Sequence, residues 1–404
     1  MTLAEVEAGP RAAPWTLALC FLAALAEGFD IQSVGVAAPR LAPALALARE
    51  QLGPVFSASL IGLLAGALTF GRVADRVGRK WVLIASLTVF GLFSAATALA
   101  WDLDSLLAIR VLAGLGLGGA MPNLLALAAE AVGEDRRARV VTLVAAGFPF
   151  GGALAGAIAA TLGWRDIFLV GAAAPLAMAP LMAFVLPESS SFLAARRSPG
   201  VAATARSDYP WILFGPSRAL TTGLLWIASF LATLTLYLLL NWLPILMGDK
   251  GVSKPEASLI SLLFNLGGAF GVLALGALLD RARRAWILAG WYVALAVCLV
   301  ALAGAGADML SAGAAGFAAG VFVVSASVSL NGLAPCFYPV VMRGAGVGAT
   351  VAVGRSGGIV GPLLAAALLG AGVGASGVLL VLAPLAAVAG GATLLLLRRR
   401  TVAD

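Results

Sequence analysis

The 404-residue sequence contains no histidine, only three cysteines and few charges. Without histidine, any proton relay must run on carboxylates, because no other side chain titrates near neutrality without a large shift. Cys20, Cys298 and Cys336 all fall in apolar runs, where burial is expected. They give neither a disulfide framework nor a metal-ligand spacing. Charged residues make up 11% of the chain, against about 25% in a soluble domain. That excludes a water-soluble globule. No G-x-x-x-x-G-K-[ST] phosphate loop occurs, so nothing supports nucleotide-driven work. The apolar runs lack the alternation of barrel strands, so the polypeptide must cross lipid as helices.

What is present is hydrophobic, at 61% of residues. Runs of roughly 20 apolar residues span a bilayer. Twelve are expected, near 15–38, 53–73, 81–100, 105–130, 138–161, 167–187, 219–247, 256–279, 285–305, 309–339, 345–370 and 375–397. The first is no cleaved signal peptide by this reading, since Glu27 and Asp30 stand where an apolar stretch is needed. The longest polar stretch, 188–218, separates an expected N-terminal six-helix bundle (1–187) from a C-terminal one (219–404). Short connections elsewhere make consecutive helices antiparallel neighbours.

Lys and Arg placement orients the spans. Nineteen of the 26 basic residues fall in one set of loops and five in the opposite set. Both termini are therefore expected in the cytoplasm, which needs an even number of spans. The net charge of +7 reads as a topology signal, not as a nucleic-acid footprint. Residues 71–81, GRVADRVGRKW, recur as 276–286, GALLDRARRAW. Gly71, Asp75, Arg76, Arg79 and Trp81 match Gly276, Asp280, Arg281, Arg284 and Trp286. A duplicated six-helix unit underlies two-half transporters.

GRVADRVGRK resembles the loop signature of the major facilitator superfamily. EGFDIQ at 27–32, RVLAGLGLGGAMPN at 110–123, LNWLP at 240–244 and GVGATVAVGRSGGIVGP at 346–362 resemble the aromatic acid:proton symporter family. Within it they are most similar to transporters of 3-(3-hydroxyphenyl)propionate. The likeness covers nearly the whole chain. The family motif usually has Asp at both acidic positions of the first helix; here the first is Glu27, and Asp30 matches. The resemblance implies an all-α polytopic membrane protein of two pseudo-symmetric six-helix bundles. It also implies import of a small aromatic carboxylate with protons, by alternating access, across the cell inner membrane. No cofactor, metal or nucleic acid is expected; the proton gradient drives the cycle, and a monomer embedded in lipid suffices. The expected activity is transport, not catalysis.

Glu27 and Asp30, three residues apart, share a helix face. Two carboxylates in a low dielectric cannot both ionise cheaply, which makes them candidate proton carriers. Permanent neutralisation by arginine, or hydration without titration, are the alternatives. Arg110 and Arg355 balance them, giving zero net charge inside the spans. Arginine stays protonated and binds carboxylates with a two-pronged fork. Arg355, near the middle of its span, is the candidate clamp for a substrate carboxylate. Arg110 either snorkels outward or, as the resemblance implies, transfers protons or pairs charge beside the first helix. Gln32, Asn123, Asn241, Trp242, Asn331 and Tyr338 are candidate cavity residues, with interhelical packing as the alternative. Trp15, Trp81, Trp101, Trp164 and Trp286 read as interfacial anchors.

The resemblance further implies a conformational latch at the cytoplasmic loops. Its members are Gly71, Asp75, Arg76, Arg79, Arg136, Arg137, Asp280 and Arg281, with Asp75 meeting a helix N-terminus. GFPFGG at 147–152 reads as a packing bend. Two other functions stay open: a proton-coupled antiporter exporting drugs or metabolites, and a non-transporting membrane sensor. A sensor should carry a signalling domain or long tail, and none is evident here.

Overall fold

The computed structural model describes residues 14–197, 213–215, 218–279, 284–339 and 342–398. Among these, no strand occurs and twelve helices are long and apolar enough to cross a membrane. Spans 1 to 4 are Pro14–Ala44, Arg49–Val77, Arg79–Thr97 and Leu103–Glu130. Span 5 is interrupted, with helices Glu134–Ala145 and Gly147–Ala159 on either side of Ala146. Pro149 lacks the N–H that would reach the Ala145 carbonyl, which breaks the ladder inside GFPFGG. Span 6 is Trp164–Val185. The polar connector opens with a short helix, Ser190–Arg197, that hydropathy does not signal. Spans 7 to 12 are Ala219–Asp249, Lys254–Leu279, Arg284–Gly304, Met309–Leu333, Arg343–Gly370 and Ala375–Leu397.

The described chain separates into two compact units. One holds residues 14–33, 58–155 and 162–197; the other holds 34–57, 156–161 and the described residues from 213 onward. The second unit therefore includes the C-terminal part of span 1, the N-terminal part of span 2 and the C-terminal end of span 5.

Lipid offers no hydrophobic drive for helix association, so close backbone packing must supply it. Glycine makes that possible here. In the first unit, a Cβ added to Gly62 would strike the Val111 carbonyl, and one added to Gly114 would strike the Ser59 carbonyl. These glycines seat span 2 on span 4. Gly28 likewise admits the Phe148 carbonyl, and Gly151 admits the Leu25 carbonyl, seating span 1 on span 5. In the second unit, Gly267 and Gly320 seat span 8 on span 10, and Gly357 seats span 11 on span 7. Spans 3 and 6 pack together, as do spans 9 and 12. The pairings 2–4, 1–5 and 3–6 thus recur six spans later.

Two expectations on single residues change. Cys336 is exposed and Cys298 only partly buried; Cys20 alone is fully buried. Span 10 ends at Leu333 and passes into a 3-10 turn, Ala334–Phe337, which turns Cys336 outward. Trp164 is 7% exposed and packs edge-on against Phe168, so it is core, whereas Trp15, Trp81, Trp101 and Trp286 are exposed at span ends.

Candidate functional site

The first unit brings Asp30 and Arg110 together. Both side chains have no exposed surface. Arg110 Nη2 donates to Asp30 Oδ2 at 3.0 Å, and Nη1 to Oδ1 at 3.4 Å. Nη2 also lies 3.5 Å from the Asp30 carbonyl oxygen, and Nε donates to Ser59 Oγ at 2.8 Å. The guanidinium carbon sits 5.8 Å from the Phe168 ring centre. Local sequence explains the arrangement. Gly114, one turn after Arg110, lets the span 2 backbone approach at Ser59. That contact puts the Ser59 hydroxyl beside Nε. Arg110 therefore points inward and does not snorkel. A lone charge at mid-bilayer costs at least about 2.5–3.5 kcal/mol on insertion scales; the fork lets two opposite charges share one neutral site.

Glu27 is 3% exposed, one turn before Asp30. Gln32 is 1% exposed, and its amide fills the space that a Cβ at Gly152 would need. Asn123 is buried, and its Nδ2 donates to the Gly119 carbonyl at 2.7 Å. It lines a cavity of about 190 Å³ with Gly71, Asp75 and Arg79, so it belongs with the loop residues and not with Asp30.

Those loop residues are held by acids from the connector and from the end of span 4. Arg79 pairs with Glu130, the last residue of span 4. Glu130 also accepts from Ser189 Oγ at 2.7 Å and Ser191 Oγ at 2.6 Å. Glu188 accepts from the Lys80 amide at 3.0 Å. Gly78 joins spans 2 and 3 at φ 108°, a conformation open to glycine at little cost, and the Glu188 carboxylate fills the space beside it. The signal available in the sequence was PESSS at 187–191, a carboxylate and hydroxyl run directly after an apolar span. Asp75 and Arg76 are exposed, as are Arg136 and Arg137. Arg137 Nη1 donates to Glu134 at 3.2 Å. Asp280 and Arg281 lie outside the described residues.

In the second unit, Arg355 is partly buried, and its Nη1 is buried without a hydrogen-bond partner among the described residues. An arginine donor left unsatisfied within a span is costly. Trp242 has no exposed surface; its Nε1 donates to the Pro362 carbonyl at 3.1 Å, and its ring meets Phe56 edge-on at 5.3 Å. Asn241 is buried and donates to the Tyr237 carbonyl at 2.8 Å. Tyr338 is buried, with its hydroxyl donating to Thr222 Oγ1 at 3.3 Å. These three make packing contacts in this structure. Asn331 is exposed.

Residues 20–362 and 225–404 match the Major Facilitator Superfamily. The chain is 43% identical to the 3-(3-hydroxy-phenyl)propionate transporter of Escherichia coli K12, covering 96% of this chain and 94% of the relative. It is 37% identical to the gallate transporter of Pseudomonas putida, covering 89% and 86%. It is 36% identical to the 4-hydroxybenzoate transporter PcaK of Pseudomonas aeruginosa, covering 93% and 91%. Among solved structures, a bacterial homologue of the human lysosomal transporter Spinster superposes with a TM-score of 0.78 at 15% identity, over 96% of this chain and 98% of that one. A D-xylose–proton symporter superposes with a TM-score of 0.71 at 18% identity, over 95% and 96%. The chain therefore belongs to the major facilitator superfamily and is a multi-pass membrane transporter, not an enzyme.

Proposed function

We propose that this transporter is a proton-coupled symporter importing a small aromatic carboxylate, with 3-(3-hydroxyphenyl)propionate the leading candidate. The observation that carries the coupling is the buried Asp30–Arg110 fork. A carboxylate holding a guanidinium in a site closed to water is a two-state element. Protonating Asp30 removes the counter-charge of Arg110, so the neutral site becomes cationic and favours a different arrangement of its neighbours. Glu27, one turn away on the same helix, assists the proton's passage. The sequence has no histidine, which leaves this pair of acids as the path.

The substrate carboxylate falls to Arg355, whose buried Nη1 has no hydrogen-bond partner among the described residues. Gln32, Asn241, Trp242, Asn331 and Tyr338 would meet the ring and its hydroxyls only after rearrangement, given the packing contacts of Asn241, Trp242 and Tyr338. Asn123 lines the loop cavity instead. The latch is read as Asp75, Arg76, Arg79, Arg136 and Arg137 around Gly71, anchored by Glu130, with Asp280 and Arg281 as their repeat. Residues 1–187 and 219–404 are read as the two bundles that rock about the site, with 188–218 as connector. The setting is the inner membrane, with both termini cytoplasmic. A monomer and the proton gradient suffice, with no cofactor.

Support for the substrate class comes from relatives named for hydroxyphenylpropionate, gallate and 4-hydroxybenzoate transport. The test is uptake of labelled 3-(3-hydroxyphenyl)propionate into cells, with and without a protonophore. Uptake that collapses with the gradient and is absent in Asp30→Asn supports symport. Full uptake in Asp30→Asn overturns the coupling.

A further inference from the structure

The second unit contains a cavity of about 430 Å³ where the end of span 1, the start of span 2, the end of span 7 and the start of span 8 meet. That volume falls within the roughly 300–1,000 Å³ of small-molecule sites. Its wall is built from Pro39, Pro43, Pro244 and Ile245, and three charges, Arg49, Asp249 and Lys254, stand in it. Arg49 grips Asp249 with both prongs: Nη1 to Oδ2 at 2.6 Å and Nη2 to Oδ1 at 2.7 Å. Arg49 opens span 2 and Asp249 closes span 7. A cation at a helix start and an anion at a helix end both oppose the macrodipole. Lys254 opens span 8 and has the same mismatch. Helix stability therefore does not explain any of the three.

We infer that this cavity is a vestibule site for the carboxylate of an aromatic acid, in which Asp249 occupies Arg49 until the ligand displaces it. The inference rests on the aromatic-carboxylate reading for its ligand class. Four features fit that ligand. Arg49 already shows the geometry of carboxylate binding. The side chain of Arg49 is 58% exposed, so an incoming anion can reach it, and a half-exposed ion pair holds its partners weakly. Lys254 gives the cavity one more cation than anion, which draws anions in. The proline and isoleucine wall offers an apolar seat for a ring. Because Arg49 and Asp249 join the ends of spans 2 and 7, a ligand that takes Arg49 also releases the link between them. Substrate arrival and opening at this face become one event.

The test does not depend on transport. Ala42 lines the cavity, so Ala42→Cys is labelled with a membrane-impermeant maleimide, against the same chain without that change. Protection by 3-phenylpropionate, none by its uncharged amide, and loss of carboxylate protection in Arg49→Gln is the expected result. Arg49→Lys, which keeps charge but not the fork, should protect at least severalfold less well. Equal protection by acid and amide, no protection, or full protection in Arg49→Gln overturns the site. Uptake kinetics add a second readout. Asp249→Asn should lower KM by freeing Arg49, and Arg49→Gln should raise it; a change in the same direction for both reduces the pair to a plain latch and overturns the inference. If wild-type protein binds the acid here yet imports none, the transport reading fails and the vestibule stands.

Discussion

Arg110 and Asp30, eighty residues apart in sequence, neutralise each other at 3.0 Å in a site with no exposed surface. Breaking one side of a buried pair strands the other charge, at a cost of about 3–5 kcal/mol. Asp30→Asn should therefore lower the unfolding temperature of purified protein more than Arg110→Gln does, because it strands a guanidinium that stays protonated, whereas a lone carboxyl can be neutralised by a proton. The double variant Asp30→Asn/Arg110→Gln should regain most of the stability lost in Asp30→Asn without regaining uptake. A double variant as unstable as Asp30→Asn would show that the fork is not what holds the site.

The loop hub makes a separate prediction. Arg79 and Glu130 contact each other directly, so their effects should not add. Arg79→Gln and Glu130→Gln should each reduce uptake, and the double variant should be no worse than either single. Contacting residues of this kind couple by roughly 0.5–3 kcal/mol in a double-mutant cycle. Additive losses would separate the two residues functionally.

Close helix packing can be probed at glycine. Gly114→Ala places a methyl group against the Ser59 carbonyl, whereas Gly290→Ala meets nothing within 4 Å. The first should destabilise by about 1–3 kcal/mol, the range for overpacking, and should also disturb Ser59 beneath Arg110. The second should leave the unfolding temperature unchanged or raise it slightly, since alanine suits a helix interior better than glycine. Detergent thermal shift on both variants checks this.

The aqueous ends of the spans carry a pH-dependent contribution. Asp308 caps span 10, accepting from the Ser311 hydroxyl at 2.5 Å and the Ser311 amide at 2.8 Å. The Ser311 hydroxyl first, and its amide second, hold this carboxyl below its ordinary value, which is about 3.9. A lowered folded-state value gives stability that is present above the unfolded value and disappears as pH falls through the folded one. Asp308→Ala should therefore be less thermostable than wild type at pH 7. The gap should close as pH drops below about 4. A gap that stays constant down to pH 2 would assign the effect to helix propensity instead. Asp102 caps span 4 in the same way through Ser105, one repeat earlier.

Much of this protein is legible in its sequence. The twelve spans follow from hydropathy, because lipid obliges each helix to satisfy its own backbone, and that obligation is local. The interruption in span 5 was visible for the same reason, since Pro149 acts on its own helix. Asp30, Glu27, Arg110 and Arg355 stood out because a charge inside an apolar run is conspicuous whatever surrounds it.

Partnership was not readable. Both Glu27 and Asp30 were acceptable companions for Arg110; the rotation of span 1 and the close approach of span 2 at Gly114 selected Asp30. Trp242, Asn241 and Tyr338 looked like cavity residues by type, yet their neighbours fix them in packing contacts. Asn123 went to the loop cavity because of where span 4 passes Gly71 and Asp75. Glu130 seemed only a span end until Ser189, Ser191 and Arg79 converged on it. Arg49 and Asp249, two hundred residues apart, carried no mutual signal at all. The sequence by itself determined which segments enter the membrane and which charges they bring. The tertiary structure decided which of those charges meet, because pairing depends on helix rotation and crossing, and these are set by glycine contacts between distant segments.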